Sequence, residues 1–288
     1  MCKISVIMSV YNQEKFLSES VESVLCQSES SFEFLIIDDA SSDRSYDLIK
    51  NYSKIDDRIK LYKNSKNLGL TKSLNKLLKI AKGKYIARMD ADDISSKNRF
   101  KNELSVMSSN QDVSVVFSKA DLVDASGNII CEKWQPENIK DIITSMPYHN
   151  YITHSTCMIR ASIIGDLGGY NEKYKLAQDW ELWLRMINSN LTFYSVNKVL
   201  LKLRMHEDNI SRKNSLSNSS DGLQILILKI RNHQKMSAIS TARNYKLTPI
   251  ERIKFYLNLA LPQSAFKWMT LMYSKYSKNS IIKRLHNQ

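Results

Sequence analysis

An α/β fold wound around a parallel sheet is predicted by three features of this sequence. Up to Asp93, four short apolar runs rich in β-branched residues alternate with three segments of helical period. The connections are short, so crossover helices are left to bring successive strands parallel. Polar clusters close the strands, namely Tyr11-Asn12, Asp38-Asp39 and Asp90-Asp92-Asp93, and ligands of such sheets bind beyond the carboxyl ends of the strands.

Residues 3–10 make the first strand, and Asn12 is expected to cap a helix whose Leu17, Val21, Val24 and Leu25 share one face. The second strand, 32–37, runs into Asp38-Asp39-Ala40-Ser41-Ser42-Asp43. Its Ser and Asp side chains are expected to cap a helix burying Leu48, Ile49 and Tyr52. After a third strand at 58–62, Asn67-Leu68-Gly69 introduces a helix with Leu70, Leu74, Leu77, Leu78 and Ala81 on one face, with Gly83 read as its C′ stop. The fourth strand, 85–89, delivers Asp90. Beyond it, Phe100, Leu104 and Met107 mark a helix, 113–117 and 120–123 read as strand, 124–128 as a turn, and 129–134 as a strand pairing back. Residues 135–151 show no clear period. Residues 152–160, which include His154, read as strand, and Gly168-Gly169-Tyr170 as a loop. A helix follows with Asp179 in its first turn and Trp180, Trp183, Leu184 and Ile187 at helical spacing, then a strand over 193–205 that ends at His206.

The acidic cluster after the fourth strand is the chemical signal. Asp90 and Asp92 stand two apart where the chain leaves the sheet, so both can turn toward one divalent ion shared with phosphate oxygens, which suits Mg²⁺ or Mn²⁺. A solvated turn or helix cap is the alternative reading of so short a cluster.

At 288 residues, 43% hydrophobic, with seven Gly and four Pro, the chain can bury one good core and a smaller appendage. Cys2, Cys26, Cys131 and Cys157 form no Cys-x-x-Cys and have no His at zinc spacing, which fits a reducing compartment and a protein without zinc. No basic segment leads into an apolar signal core, and no apolar run is long enough to span a membrane, so a cytoplasmic location is expected. Of the net charge of +13, eleven units lie in residues 222–288, where twelve lysines and arginines face only Glu251. Residues 212–221, rich in Ser, Asn and charge, read as a linker before this basic, amphipathic, helical extension. Interleaved basic and aromatic residues suit an anionic membrane face, each cation contributing about 1 kcal/mol at most; a helical lid on the first domain is the bland alternative. Nucleic acid is not expected, because no binding module accompanies the charge.

In order and spacing, several pieces together resemble the family 2 glycosyltransferases: Val10-Tyr11-Asn12, the Asp-Asp-Ala-Ser-Ser-Asp run from Asp38, Asn67-Leu68-Gly69-Leu70 before a helix, the run from Ala81 to Asp93, and Ala-Gln-Asp-Trp-Glu-Leu-Trp-Leu-Arg from Ala177. The resemblance covers roughly residues 3–211. It implies a GT-A fold, a Rossmann-like mixed sheet flanked by helices, with a nucleotide-binding half at about 1–95 and an acceptor half at about 96–211. It further implies transfer of a sugar from a nucleotide-sugar, UDP being the commonest nucleotide, to a hydroxyl of a glycan or lipid-linked acceptor, usually with inversion. On this resemblance Val10 and Tyr11 line the base pocket, and Asp39 accepts from the base with Asp38 in support. Lys72 or Asn75 approaches the nucleotide, Asp90 and Ala91 lie at the ribose or metal, and Asp92 is the principal metal ligand. Asp179 is the general base, with Gln178 where an acid is common. The Gln-x-x-Arg-Trp signature of polymerising members is absent, so transfer of a single sugar is expected.

Other residues keep two readings. His206 is a metal or diphosphate ligand or else structural, and His154 is better read as a satisfied histidine than as an acceptor contact. Arg88 pairs with phosphate or with a neighbouring Asp. Trp180 and Trp183 are core residues, or one of them is a stacking platform. The sequence supports rival functions less well. A nucleotidyltransferase calls for a Gly-rich basic loop after the first strand and a dehydrogenase for Gly-x-Gly-x-x-Gly, and Tyr-Asn-Gln-Glu-Lys supplies neither. A non-catalytic membrane-docking scaffold is disfavoured by the joint presence of Asp39, Asp90, Asp92 and Asp179.

Overall fold

A computed structural model describes residues 3–146, 149–175 and 177–206. The expectations for 207–288, including the linker and the basic extension, lie outside the described residues.

The elements run β1 (Ile4–Val10), α1 (Leu17–Leu25), β2 (Phe32–Asp38), α2 (Ser45–Ile55), β3 (Ile59–Lys63), α3 (Leu70–Ile80), β4 (Tyr85–Arg88), β5 (Ile94–Ser95), α4 (Arg99–Ser109), β6 (Val113–Val123), β7 (Ile129–Glu132), α5 (Ile139–Ser145), a 3₁₀ turn (His154–Thr156), β8 (Met158–Arg160), α6 (Ala161–Asp166), α7 (Gln178–Asn188) and β9 (Thr192–Arg204). They form one mixed sheet of order β3-β2-β1-β4-β8-β6-β9-β5, with β7 added on β6. The first four strands pair in parallel, as the alternation of strand and helix requires. Beyond β4 the sheet turns mixed: β8 is antiparallel to both β4 and β6, whereas β9 runs parallel to β6. Among the described residues no helix is long and apolar enough to cross a membrane.

Both faces of the parallel half are covered, which is why its strands read as unbroken apolar runs. Ile4, Val6, Met8 and Val10 point into one cluster with Leu17, Val21 and Val24 of α1, Ile49 of α2 and Phe100 of α4. The intervening Ile7, with Leu35 and Ile37, is buried outside that cluster, as are Leu74 and Leu77 of α3. Register then aligns the strand ends. Val10 stands opposite Asp38, Asp38 opposite Lys63, and Ile7 opposite Arg88, so the polar residues that follow emerge together.

Two sequence expectations need correction here. Asn12 does not cap α1. Its φ is +52°, and it instead ties two loops together, its N–H donating to Ser41 Oγ (3.1 Å) and its Oδ1 accepting the Ser42 N–H (2.8 Å). Gly83 is not a left-handed helix stop either, since α3 ends three residues earlier, with Ala81 extended at its C-cap. What requires glycine is close approach, because a Cβ at position 83 would lie 2.4 Å from the Ser5 backbone nitrogen. Gly83→Ala is therefore expected to destabilise the protein by about 1–3 kcal/mol or more, as overpacking does, and chemical denaturation will measure it; an unchanged midpoint would show that β1 yields freely.

The segment over 152–160 also differs from its reading. Only Met158–Arg160 is strand, and His154 sits in the 3₁₀ turn before it.

Candidate active site

The first wall of the site is a pair of loops laced together. After β1, the Gln13 N–H donates to Ser45 Oγ (2.8 Å) and the Glu14 N–H to Asp43 Oδ2 (3.0 Å), while Glu14 accepts the Arg44 N–H in return (2.9 Å). Asp43 Oδ1 also accepts the Ser45 N–H (3.0 Å), so Asp43 serves the first turn of α2 as expected. This lacing leaves Val10 buried and Tyr11 about half exposed, 47%, at the mouth. Asp39 is buried and spends its carboxylate on its own chain: Asn64 Nδ2 (2.7 Å) and the Leu68 N–H (2.9 Å) donate to Oδ1, and the Gly69 N–H (2.8 Å) to Oδ2. It thereby shapes the turn into α3. Asp38 accepts the Ser41 N–H at 3.3 Å through Oδ2, and its buried Oδ1 has no hydrogen-bond partner. A buried acceptor without a hydrogen-bond partner is thus present on Asp38, beside Asp39.

On α3, Asn75 does not reach toward this wall. Its Oδ1 accepts the Tyr170 N–H (2.9 Å) and its Nδ2 donates to the Tyr170 carbonyl (2.9 Å) and Glu172 (3.1 Å), fastening the helix to the Gly-Gly loop. Lys72 is exposed on the same helix. A cavity of about 430 Å³ opens here, lined by Asn75, Tyr170, Glu172, Glu181 and Arg185, but none of the acidic residues of the site borders it.

The acidic segment after β4 is held from several sides. Arg88, itself buried, pairs with Asp90 Oδ1, so its salt-bridge reading is the one realised. Ser155 Oγ donates to Asp90 Oδ2 (2.6 Å), and both carboxylate oxygens are engaged by protein donors. Burial works against ionisation of Asp90, but Arg88, His154 and the Ser155 hydroxyl outweigh it and hold its pKa below the usual value. Ala91 is buried, and Asp92 follows, its Oδ2 2.9 Å from His206 Nε2. Arg204 Nε donates to the Asp92 carbonyl (2.9 Å), its N–H donates to Asp93 Oδ1 (3.1 Å), and its guanidinium pairs with Glu19. Asp93 is buried beside Asp92 and Asp90, and both burial and that repulsion push its carboxyl well above the normal range. Beneath, the buried Arg99 donates to the Arg88 carbonyl (2.7 Å) and pairs with Glu103 (3.1 Å), whose pKa burial drives up to about 7 against that pairing.

Across from these, α7 presents Asp179 at its first turn. Asn150 Nδ2 donates to Asp179 Oδ2 (3.0 Å). Burial raises the pKa of Asp179 and the Asp90 charge adds to it, opposed by the Trp180 N–H and by Asn150. Lys133 is held nearby, its Nζ donating to Thr153 Oγ1 (2.7 Å). Burial lowers its pKa, while Asp179 and Asp93, both near enough to act on it, work to raise it. His154 accepts or donates to the Tyr170 hydroxyl at 2.8 Å and packs on Trp183; burial and Arg88 press its pKa well down, so it is a neutral, satisfied histidine. Of the two tryptophans of α7, Trp183 takes the core reading and Trp180 is half-buried. Trp183 is fully buried, and Trp180 Nε1 donates to the Met146 carbonyl (2.6 Å).

Sequence reasoning missed Ser155, Arg204, Lys133 and Asn150. The bonds from Ser155 to Asp90 and from Arg204 to Asp92 span 65 and 112 residues of chain, so no local spacing announces them. One signal was available: Thr153-His154-Ser155-Thr156, four polar residues in a run read as buried strand, points to a turn serving a site instead.

Against known proteins, the family model described as Glycosyl transferase family 2 matches residues 5–168. The O-antigen biosynthesis glycosyltransferase WbnJ of Escherichia coli is 32% identical over 213 residues, 70% of this chain and 80% of its own. Among solved structures, residues 1–349 of S. aureus TarS in complex with UDP-GlcNAc align with TM-score 0.64 at 20% identity, over 88% of this chain and 70% of that one. The mannosyltransferase PcManGT of Pyrobaculum calidifontis, in complex with GDP-Man and Mn²⁺, aligns with TM-score 0.64 at 14% identity, over 99% and 88%. The architecture is that of the GT-A glycosyltransferases, and the chain belongs to glycosyl transferase family 2.

Proposed function

We propose that this transferase moves one sugar from a nucleotide-sugar, UDP-linked by preference, to a hydroxyl of a glycan or lipid-linked acceptor during surface polysaccharide assembly, with inversion. The observation that supports the reading is an acidic segment after β4 in which Asp92 meets His206 at 2.9 Å, with Asp179 of α7 near enough to Asp90 for the Asp90 charge to act on it. WbnJ, named for O-antigen biosynthesis, supports the pathway class, and the UDP-GlcNAc complex of TarS supports the nucleotide.

Val10, Tyr11, Asp38 and Asp39 bound the proposed base site, and Asp90 and Ala91 the ribose side. A carboxylate beside an imidazole is a donor set that fits Mn²⁺ or Mg²⁺. Among the described residues no three acidic, His or Cys side chains are placed to hold a metal by themselves, so Asp92 and His206 would hold it together with groups of the donor. Bound there, a divalent cation supplies charge stabilisation to the departing diphosphate. Asp179 takes the proton from the attacking hydroxyl, which its carboxylate can do within hydrogen-bond reach. Asn150 orients that carboxylate, and Lys133 draws it toward the ionised form. The basic segment 222–288, by its composition, is proposed to rest on an anionic membrane face while residues 1–211 do the chemistry.

A screen of nucleotide-sugars for slow loss of the sugar to water, run with Mn²⁺ on the whole chain, tests the reading. One nucleotide-sugar, UDP-linked, is expected to be hydrolysed, and its nucleoside diphosphate to bind more tightly with the metal than without. If no nucleotide-sugar is bound or cleaved, the proposal is wrong.

A further inference from the structure

We infer that the acceptor enters as a pyranose ring stacked on an aromatic shelf made by Trp134 and Tyr151, beside Asp179; the inference rests on the reading of Asp179 as the base. Trp134 follows β7 and is 70% exposed, and among the described residues no other large apolar side chain of the acceptor half is so open and also touches another ring. Its indole meets the Tyr151 ring at 5.4 Å and 74°, and the His149 ring lies 4.3 Å from that of Tyr151. In such an edge-to-face pair each ring braces the other, so the exposed indole offers a ring face with few torsions to freeze on binding.

The shelf is fixed, and it is fixed to the base. Lys133, the neighbour of Trp134, donates through Nζ to Thr153 Oγ1 (2.7 Å) and to the Tyr151 carbonyl (3.4 Å), while its N–H donates to the Ala120 carbonyl of β6 (2.8 Å). The end of β7 and the segment 149–153 are therefore cross-tied. Within that segment Asn150 adjoins Tyr151, donates to Asp179 Oδ2 (3.0 Å) and accepts the Ile152 N–H through Oδ1 (3.2 Å). One short stretch of chain thus carries both a ring of the shelf and the hydrogen bond to the carboxylate. On this inference a sugar on the rings is held by the same stretch of chain that holds the carboxylate. The C–H face of a pyranose matches an aromatic surface, whereas a nucleobase is accounted for on the opposite side of the site, at Tyr11 and Asp38. Aromatic surface of this kind takes over the role that the sequence suggested for Trp180 or Trp183.

The test uses the whole chain with UDP and Mn²⁺ and, as probes, the methyl pyranosides of glucose, galactose, N-acetylglucosamine and rhamnose, followed by saturation-transfer NMR titration. At least one probe is expected to bind wild type through its ring C–H protons. Trp134→Ala should weaken that probe about tenfold, Trp134→Phe should hold it within about threefold, and Ile130→Ser, on the adjacent exposed strand, should bind it as wild type does. Melting curves of the variants check that each is folded. Binding of no pyranoside by wild type, equal binding by Trp134→Ala, or loss in Ile130→Ser as large as in Trp134→Ala would overturn the shelf, the last marking a general apolar contact such as lipid. Wild-type hydrolysis of nucleotide-sugars, measured alongside, depends on the transferase reading alone, so the two ideas fail separately.

Discussion

Asp179→Asn is expected to slow sugar transfer at least about a hundredfold, the scale on which a positioned general base acts, while nucleoside diphosphate affinity stays within about twofold. The substitution preserves volume and an oxygen for Asn150 Nδ2, so the architecture at the start of α7 should survive it. What disappears is a group able to take a proton. Its pH signature follows from burial. The pKa of Asp179 is raised, so the wild-type rate must fall on the acid side at a pH above the ordinary carboxylate value, and it must level off once the group is ionised. In Asp179→Asn that acid limb should vanish from whatever rate remains. Full activity in the variant, or an unaltered limb, would assign the proton to another group.

Asp92→Ala carries the second large effect. Isothermal titration of UDP should show wild-type affinity rising when Mn²⁺ is added, and the variant responding to the metal little or not at all. Transfer should drop on the order of a hundredfold or more, as when a preorganised stabiliser of developing charge is removed. The backbone carbonyl of residue 92 remains to accept from Arg204, so the loop keeps its main tether. His206→Ala should reproduce part of the loss, because its imidazole meets the same carboxylate at 2.9 Å. An equal metal effect in wild type and Asp92→Ala would remove the cation from the mechanism.

The parallel half of the fold was legible because β1, β2 and β4 are buried on both faces and its helices on one. That physics writes itself into runs and periods that need no partner to be recognised, as in Ile4–Val10 and Leu70–Ile80. The positions of Asp38, Asp90, Asp92 and Asp179 were equally readable, since each sits at the end of such an element. What escaped was pairing across distance. Nothing near Asn75 in sequence shows that Tyr170 will claim it, and nothing near Asp39 shows that the Leu68 and Gly69 N–H groups will bond to it. Gly83 was assigned the commoner of glycine's two uses, a left-handed stop, when the close passage of β1 was the operative one. The 3₁₀ turn at His154 was hidden because its polar residues are as buried as a strand's, satisfied by Tyr170, Asp90 and the Thr153 carbonyl.

The clamp by Arg204 has a bearing on how the protein comes to exist. Two of the three acids after β4 are steadied by an arginine made more than a hundred residues later, at the close of β9. During synthesis, then, a growing chain has Arg88 and Ser155 to meet Asp90 well before it has the backbone N–H and guanidinium of Arg204 that tie down Asp93 and the Asp92 carbonyl. The acidic segment is thus one of the last parts the nascent molecule can finish, and a product cut short before Arg204 would hold every acid of the motif yet lack the tether that joins Asp92 and Asp93 to β9.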